Sequence, residues 1–378
     1  MDGRPAGTAA DEALMQRAIQ LARGVRRSTA PNPWVGAVVV RDGAVVGEGA
    51  TAPPGGPHAE VRALRAAGER AEGATVYVTL EPCSHQGRTP PCVDSLLKAR
   101  VARVVVALED PDPRVTGRGL AALRAAGVAV DVGVGADEAR RLLAPYLHHR
   151  RTGRAYALLK TAVSLDGRVA AADGTSHWIT GPEARADGHR LRAESQAVVV
   201  GAGTALADRP TLTARDVDPP VERQPLRVVL DARGRVPAVG ELFDPTRAPT
   251  LVVTTEHAAP AAVDAWRAAG AKVEVVEPGP AGHGVDLPAT LDVLGADGVL
   301  QALIEGGPRL HAAFVEAGLV DSLVVYVSGT VLGERGLPSM ALPGPDNIAG
   351  ALRYDLVDVT RVGPDARLEL VAGPVEAF

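Results

Sequence analysis

His58-Ala59-Glu60, followed downstream by Glu81-Pro82-Cys83-Ser-His-Gln-Gly-Arg-Thr-Pro-Pro-Cys92, is the stretch from which the rest of the chain is read. The first three residues open an apolar pattern of helical period, and the cysteine segment follows an apolar strand, Ala74–Thr79. One imidazole and two thiols make three zinc ligands, which leaves one position of a tetrahedral ion for water, the layout of a catalytic site. Glu60, two residues past the histidine in the first helical turn, projects near such an ion without having to bind it. A non-ligand glutamate beside zinc is what hydrolytic deamination requires.

His-x-Glu and Pro-Cys agree with the zinc deaminase pattern, whose cysteines are normally two residues apart. Here eight residues separate Cys83 from Cys92, so a closed loop has to bring the thiols together. Gly87 and the two prolines let a polar loop fold back at modest entropic cost. A disulfide or two inert core thiols is the competing reading. Two cysteines in 378 residues, with no secretory segment at the start, point instead to a reducing compartment.

The length suits two or more domains, and 46% hydrophobic residues are ample for their cores. A formal charge of −5 and a pI near 6.0 give no basic field for nucleic acid, and no apolar run approaches a membrane span. A soluble cytoplasmic protein is expected. Leu14, Ala18, Leu21, Ala22 and Val25 repeat at helical spacing behind Asp11. Val35–Val40, Asp42-Gly43 and Ala44–Gly47 read as a hairpin with a primed turn, and Asn32, held between prolines, sits at its mouth. Strands and helices then alternate, giving an α/β layered domain with its ligands at strand ends and helix starts. Asp110 and Asp112 either rim the pocket or form a solvated turn between prolines. A helix over 136–149 ends in His148-His149-Arg150-Arg151, read as a charged helix end, because adjacent histidines on a helix point about 100° apart. Thr152-Gly153 breaks this helix and the domain boundary is placed there, giving domains 1–150 and 151–378.

The second domain reads as strands around Ala157–Ala162, Ala197–Gly201, Leu226–Asp231, Thr250–Thr254, Lys272–Val276 and Leu300–Ile304, alternating with helices. Val320–Val327 and late strands around Leu352–Thr360 and Arg367–Ala372 finish the sheet. Gly306-Gly307 between a buried strand and a helix opened by Pro308 permits close backbone approach, and free amides at a helix start favour phosphate. A lone Gly-Gly is more often a turn.

Taken together, Pro31-Asn32-Pro33-Trp34-Val35-Gly36, EPCSHQGRTPPC, KTAVSLDGRVA, SHWITG, VVVGAGTALADRPTLTAR and LIEGGPRL resemble the bifunctional deaminase–reductases of riboflavin biosynthesis over nearly the whole chain. The resemblance implies a cytidine-deaminase-like three-layer α/β domain followed by a dihydrofolate-reductase-like α/β domain, with zinc and NADPH as cofactors and a homo-oligomer, a dimer. It implies zinc on His58, Cys83 and Cys92, Glu60 as proton carrier, and Asn32, His85 and Arg88 on a small pyrimidine ribosyl phosphate. In the second domain it implies cofactor contacts at Ala162, Trp178, Thr204, Asp208 and the run Gly307, Pro308, Arg309, Leu310, His311, Ala312 and Ala313, with Asp208 also catalytic. Ser176, Arg192, Leu212, Arg215 and Glu305 are implied for the sugar phosphate, with Arg192 and Arg215 converging on the phosphate itself. On residues alone, Trp178 could equally be core and Arg192 a solvated helix face. Two other readings stay open: a base or nucleoside deaminase with a regulatory second domain, and a structural zinc beside a nucleotide-binding domain.

Overall fold

The computed structural model describes residues 7–86 and 90–373, in two compact units divided between Gly153 and Arg154. The last helix of the first unit runs on to Thr152 and is closed at the expected Thr152-Gly153 break by Gly153 in the left-handed conformation, three residues past the 150/151 division.

The first unit runs α1 (Ala9–Gly24), β1 (Gly36–Arg41), β2 (Ala44–Ala50), α2 (Ala59–Ala67), β3 (Thr75–Val78), α3 (Cys92–Lys98), β4 (Arg103–Val106), α4 (Arg118–Ala125), β5 (Ala129–Val132) and α5 (Ala136–Thr152). Its sheet has the order β2-β1-β3-β4-β5, with β1 antiparallel to β2 and β3, and β3, β4 and β5 parallel. Neighbouring residues of a strand face opposite sides. Gly36, where a Cβ would strike the Ala18 carbonyl of α1, and Gly49, where it would strike the Ala59 carbonyl of α2, therefore show the two helices on opposite faces, since Gly49 lies across from Ala37. The bare backbone at Gly49 is what lets the first turn of α2, which carries the metal motif, seat directly on the sheet.

Thr8 and Asp11 form a reciprocal cap at the start of α1, each side chain accepting the other's backbone N–H. The same Asp11 carboxylate accepts from Tyr77 Oη at 2.7 Å and from Arg103 Nη1 at 2.8 Å, so one buried carboxylate joins the helix to β3 and β4.

The second unit contains β6 (Tyr156–Val163), β7 (Arg168–Ala170), α6 (Pro182–Glu194), β8 (Ala197–Gly201), α7 (Ala202–Asp208), β9 (Leu226–Leu230), β10 (Thr250–Thr254), α8 (Pro260–Ala268), β11 (Lys272–Val275), α9 (Leu287–Ala296), β12 (Gln301–Ile304), α10 (Pro308–Glu316), β13 (Ser322–Val327), β14 (Leu337–Pro338), β15 (Tyr354–Val362) and β16 (Asp365–Ala372). Nine strands form one sheet in the order β11-β10-β9-β8-β12-β6-β13-β16-β15; neighbours are parallel through β13, and the β15–β16 hairpin is antiparallel. Strands β8, β9, β10 and β12 are almost wholly buried, as parallel strands covered on both faces should be. The segment after Gly201, given no element from sequence, is the helix α7, and the short pair β7–β14 was not expected at all. Among the described residues no helix is long and apolar enough to cross a membrane.

Candidate active sites

His58 caps the N-terminus of α2 with extended backbone and makes no side-chain bond to the helix, which frees its ring for other work. Cys92 is the first residue of α3, and Cys83 lies in the loop after β3. His58 Nδ1 stands 3.2 Å from Cys92 Sγ and 3.6 Å from Cys83 Sγ, and the three donor atoms lie within 4.8 Å of one another. Both cysteines are free thiols rather than a disulfide. A neutral-nitrogen donor and two sulfur donors converging without a bond between them fit zinc. The Cys92 N–H also points at Cys83 Sγ, 3.4 Å away. The hydrogen bond from the Cys92 thiol is the main cause that holds the Cys83 thiol down to about 4, and giving that bond pushes the Cys92 thiol upward. His58 is raised by its hydrogen bond to Cys83.

Glu60 is 3% exposed, and burial first, then the negative charge at Cys83, lifts its carboxyl from 4.5 to about 7. It opens with His58 and Cys83 onto a cavity of about 440 Å³, which Asn32 and His85 also line. Arg88 lies outside the described residues. Asp110 and Asp112 are not a solvated turn: both are buried and line this cavity. The turn is turned inward by its own bonds. Asp110 accepts from Tyr146 Oη at 3.0 Å and from the Asp112 N–H at 2.9 Å, while Arg114 closes on Asp112 at 2.6 Å.

The far wall comes from α5, whose end was read only as charged. Arg150 lies over the Tyr146 ring at 5.0 Å and donates to the Pro31 carbonyl at 3.2 Å, and both residues line the cavity. Their spacing of four residues on one helix was the available signal.

In the second unit, Glu305 stands just past β12 and receives Arg192 of α6 in a paired bond, Nε to Oε1 at 2.8 Å and Nη2 to Oε2 at 2.6 Å. Arg192 is thus no solvated residue, and it is not a free anion clamp either, since Nη1 also serves the Thr213 carbonyl at 3.2 Å. Burial alone would raise Glu305, but the charge and bonds of Arg192, followed by the charge of Lys160, outweigh it and bring it down to about 2. Arg215 reaches Thr211 Oγ1 at 3.1 Å, and burial first, then the charges of Arg192 and Arg215, depress His189 to about 4.

Gly307 caps α10, and its N–H is taken by Thr204 Oγ1 of α7 at 3.0 Å, which joins two of the expected cofactor positions. A Cβ at Gly307 would crowd that hydroxyl at 3.3 Å. Of the run after it, Arg309 is exposed, whereas His311 and Ala312 are buried; His311 Nδ1 meets the Ser339 carbonyl at 3.2 Å. Trp178 is not core: it is 68% exposed with Arg185 over its ring at 4.4 Å. With Ser176 it lines a shallow pocket of about 150 Å³. Leu212 is buried in the left-handed backbone region, Asp208 ends α7 at the surface, and Ala162 is half-buried on β6.

Two family patterns match the chain, the cytidine and deoxycytidylate deaminase zinc-binding region over residues 8–108 and the RibD C-terminal domain over residues 155–368. The riboflavin biosynthesis protein RibD of Escherichia coli K12 is 43% identical over 371 residues, which cover 96% of this chain and 99% of that protein. The chain belongs to the RibD family. An Acinetobacter baumannii RibD structure matches with a TM-score of 0.86 at 40% identity, covering 97% of this chain and 99% of that one. A Thermotoga maritima diaminohydroxyphosphoribosylaminopyrimidine deaminase/5-amino-6-(5-phosphoribosylamino)uracil reductase matches with a TM-score of 0.83 at 32% identity, covering 96% and 99%. This RibD chain is accordingly a deaminase and reductase of riboflavin biosynthesis, with a zinc-binding deaminase domain of cytidine-deaminase type and an NADPH-dependent reductase domain.

Proposed function

We propose that the first unit hydrolytically deaminates diaminohydroxyphosphoribosylaminopyrimidine and that the second reduces 5-amino-6-(5-phosphoribosylamino)uracil, turning its ribosyl group into a ribityl chain. The observation that carries the first step is the convergence of His58, Cys83 and Cys92 beside a buried glutamate that is not needed as a ligand, all opening onto one cavity. His58, Cys83 and Cys92 would hold a zinc ion, which when bound would supply a water acidified to near neutrality. Glu60 would carry one proton from that water to the ring nitrogen and a second, from the hydroxyl then on the ring carbon, to the amino group that leaves as ammonia, a task suited to a carboxyl that titrates close to neutral pH. Asn32, His85 and Arg88 orient the pyrimidine and its phosphorylated sugar.

In the second unit NADPH supplies the hydride. Thr204, Ala162, Trp178 and the turn from Gly307 to Ala313 hold the cofactor, and Asp208 acts beside it. Ser176, Leu212 and Glu305 receive the sugar phosphate. Arg215 and the N–H groups that Arg192 does not spend on Glu305 and Thr213 meet the phosphate oxygens. The protein works in the cytoplasm as a homodimer; Leu356 and Val359, exposed on the edge strand β15, give that strand reason to be covered.

Incubating purified protein with the diaminopyrimidine phosphate, with and without NADPH, and weighing the products tests the reading. Without NADPH the mass should change only by replacement of an amino group with oxygen, and with NADPH two further hydrogens should appear. Addition of hydrogen before loss of nitrogen would reverse the proposed order.

A further inference from the structure

Glu81 lies two residues before Cys83, lines the deaminase cavity and is 4% exposed. A buried carboxylate normally has a cation against it. The hydrogen-bond partners of this one among the described residues are instead four backbone N–H groups from two other segments. Its Oε2 accepts from Asp110 at 3.3 Å and from Gly117 at 3.0 Å, and its Oε1 accepts from Gly119 at 3.0 Å and from Leu120 at 3.4 Å. Three of those donors belong to the start of α4, whose first amides have no partner within the helix. The Glu81 N–H meanwhile donates to the Leu108 carbonyl at 2.8 Å.

Both sides of the cavity are therefore tied to one side chain. On one side the chain passes through the rigid Pro82 to Cys83, whose carbonyl accepts the Val93 N–H and whose sulfur receives the Cys92 N–H. On the other, the Asp110 amide is fixed, and with it the carboxylate that Tyr146 holds toward the cavity. A carboxylate has lone pairs for four donors; a neutral amide of the same size has one oxygen and turns an NH2 group on the remaining N–H groups. We propose that Glu81 is a positioning residue of the deaminase, setting the separation between the Cys83 ligand and the Asp110 wall without touching metal or substrate.

The inference rests on the zinc deaminase reading, and the wild-type protein tests that reading separately: one zinc per chain and ammonia release must be found there first. In Glu81→Gln, assayed well below its melting temperature, zinc should leave to a chelator roughly 10–100-fold faster and the kcat of deamination should fall by a similar factor, the range seen when supports of metal ligands are removed. Glu81→Asp keeps the charge but is one methylene short of the four amides, so it should show a loss in the same two quantities, and NADPH oxidation by the second unit should be unchanged in both variants. A Glu81→Gln protein that melts at a lower temperature yet releases zinc and deaminates at wild-type rates would reduce Glu81 to a contributor to stability and overturn the proposal. So would failure of the first unit to fold in both variants.

Discussion

Glu60 in the first half of the chain and Glu305 in the second are both shielded carboxyls, and the two behave in opposite ways. Glu60 has no cation bonded to it, so burial and the charge of Cys83 hold on to its proton up to about 7. Glu305 is largely shielded too, but the charge and paired bonds of Arg192 and the charge of Lys160 keep it ionised down to about 2. The first can carry a proton at neutral pH. The second is a fixed anion, useful for accepting substrate N–H or O–H groups and for holding an arginine in place. Environment rather than residue type divides proton transfer from positioning, and the deaminase and reductase halves differ in this as much as in their cofactors.

The largest effect should come from removing a metal ligand. Cys83→Ser should lose zinc and ammonia release together while NADPH oxidation with added intermediate continues; metal analysis alongside both assays decides it, and full zinc with full deamination would show that the three donors are not the site. Next comes the buried ion pair. Glu305→Gln leaves Arg192 charged without its partner, and breaking such a pair costs about 3–5 kcal/mol. The second unit should melt markedly earlier and the first should not, as calorimetry would resolve; an unchanged melting profile would mean that solvent already compensates Arg192.

A smaller and graded effect should appear with pH. Because the folded value of Glu305 is depressed from 4.5 to about 2, its share of stability is present above 4.5 and is lost as pH falls from 4.5 towards 2. Glu60, raised from 4.5 to about 7, has the opposite sign: in protein stripped of zinc its share is present below 4.5 and is lost as pH rises through about 7. Chemical denaturation of the stripped protein across this range should show the first unit weakening towards high pH and the second towards low pH. Parallel profiles for the two would erase the contrast.

The deaminase site was the more legible half because its chemistry sits in short contiguous motifs. His58, Cys83 and Cys92 carry the chain's scarcer side chains at telling spacings, with Glu60 two residues past the histidine, and the chain brings the three donors together through two helix starts and the loop after a strand. Its supporting wall was less legible. Asp110 between prolines looks like any surface turn until Tyr146 and Glu81, 36 and 29 residues away, draw it inward. Arg150 looked like a helix end for the same reason: what it touches, Pro31, is 119 residues distant. In the reductase half the alternation of strands and helices was readable from buried apolar runs, but α7 was not, since its alanine-rich seven residues carry almost no periodic signal. The family resemblance implied Arg192 and Glu305 for one ligand without showing that they bond to each other, a contact 113 residues apart that changes what either can offer a ligand.

The most direct test of two separable sites is Glu60→Gln. The variant should keep its fold and its zinc, and ammonia release should fall by roughly 10²–10⁴-fold, the usual contribution of a general acid–base group. NADPH oxidation should proceed at the wild-type rate when the deaminated intermediate is supplied. Loss of both activities in a folded, zinc-loaded Glu60→Gln protein, or retention of full ammonia release, would contradict the account.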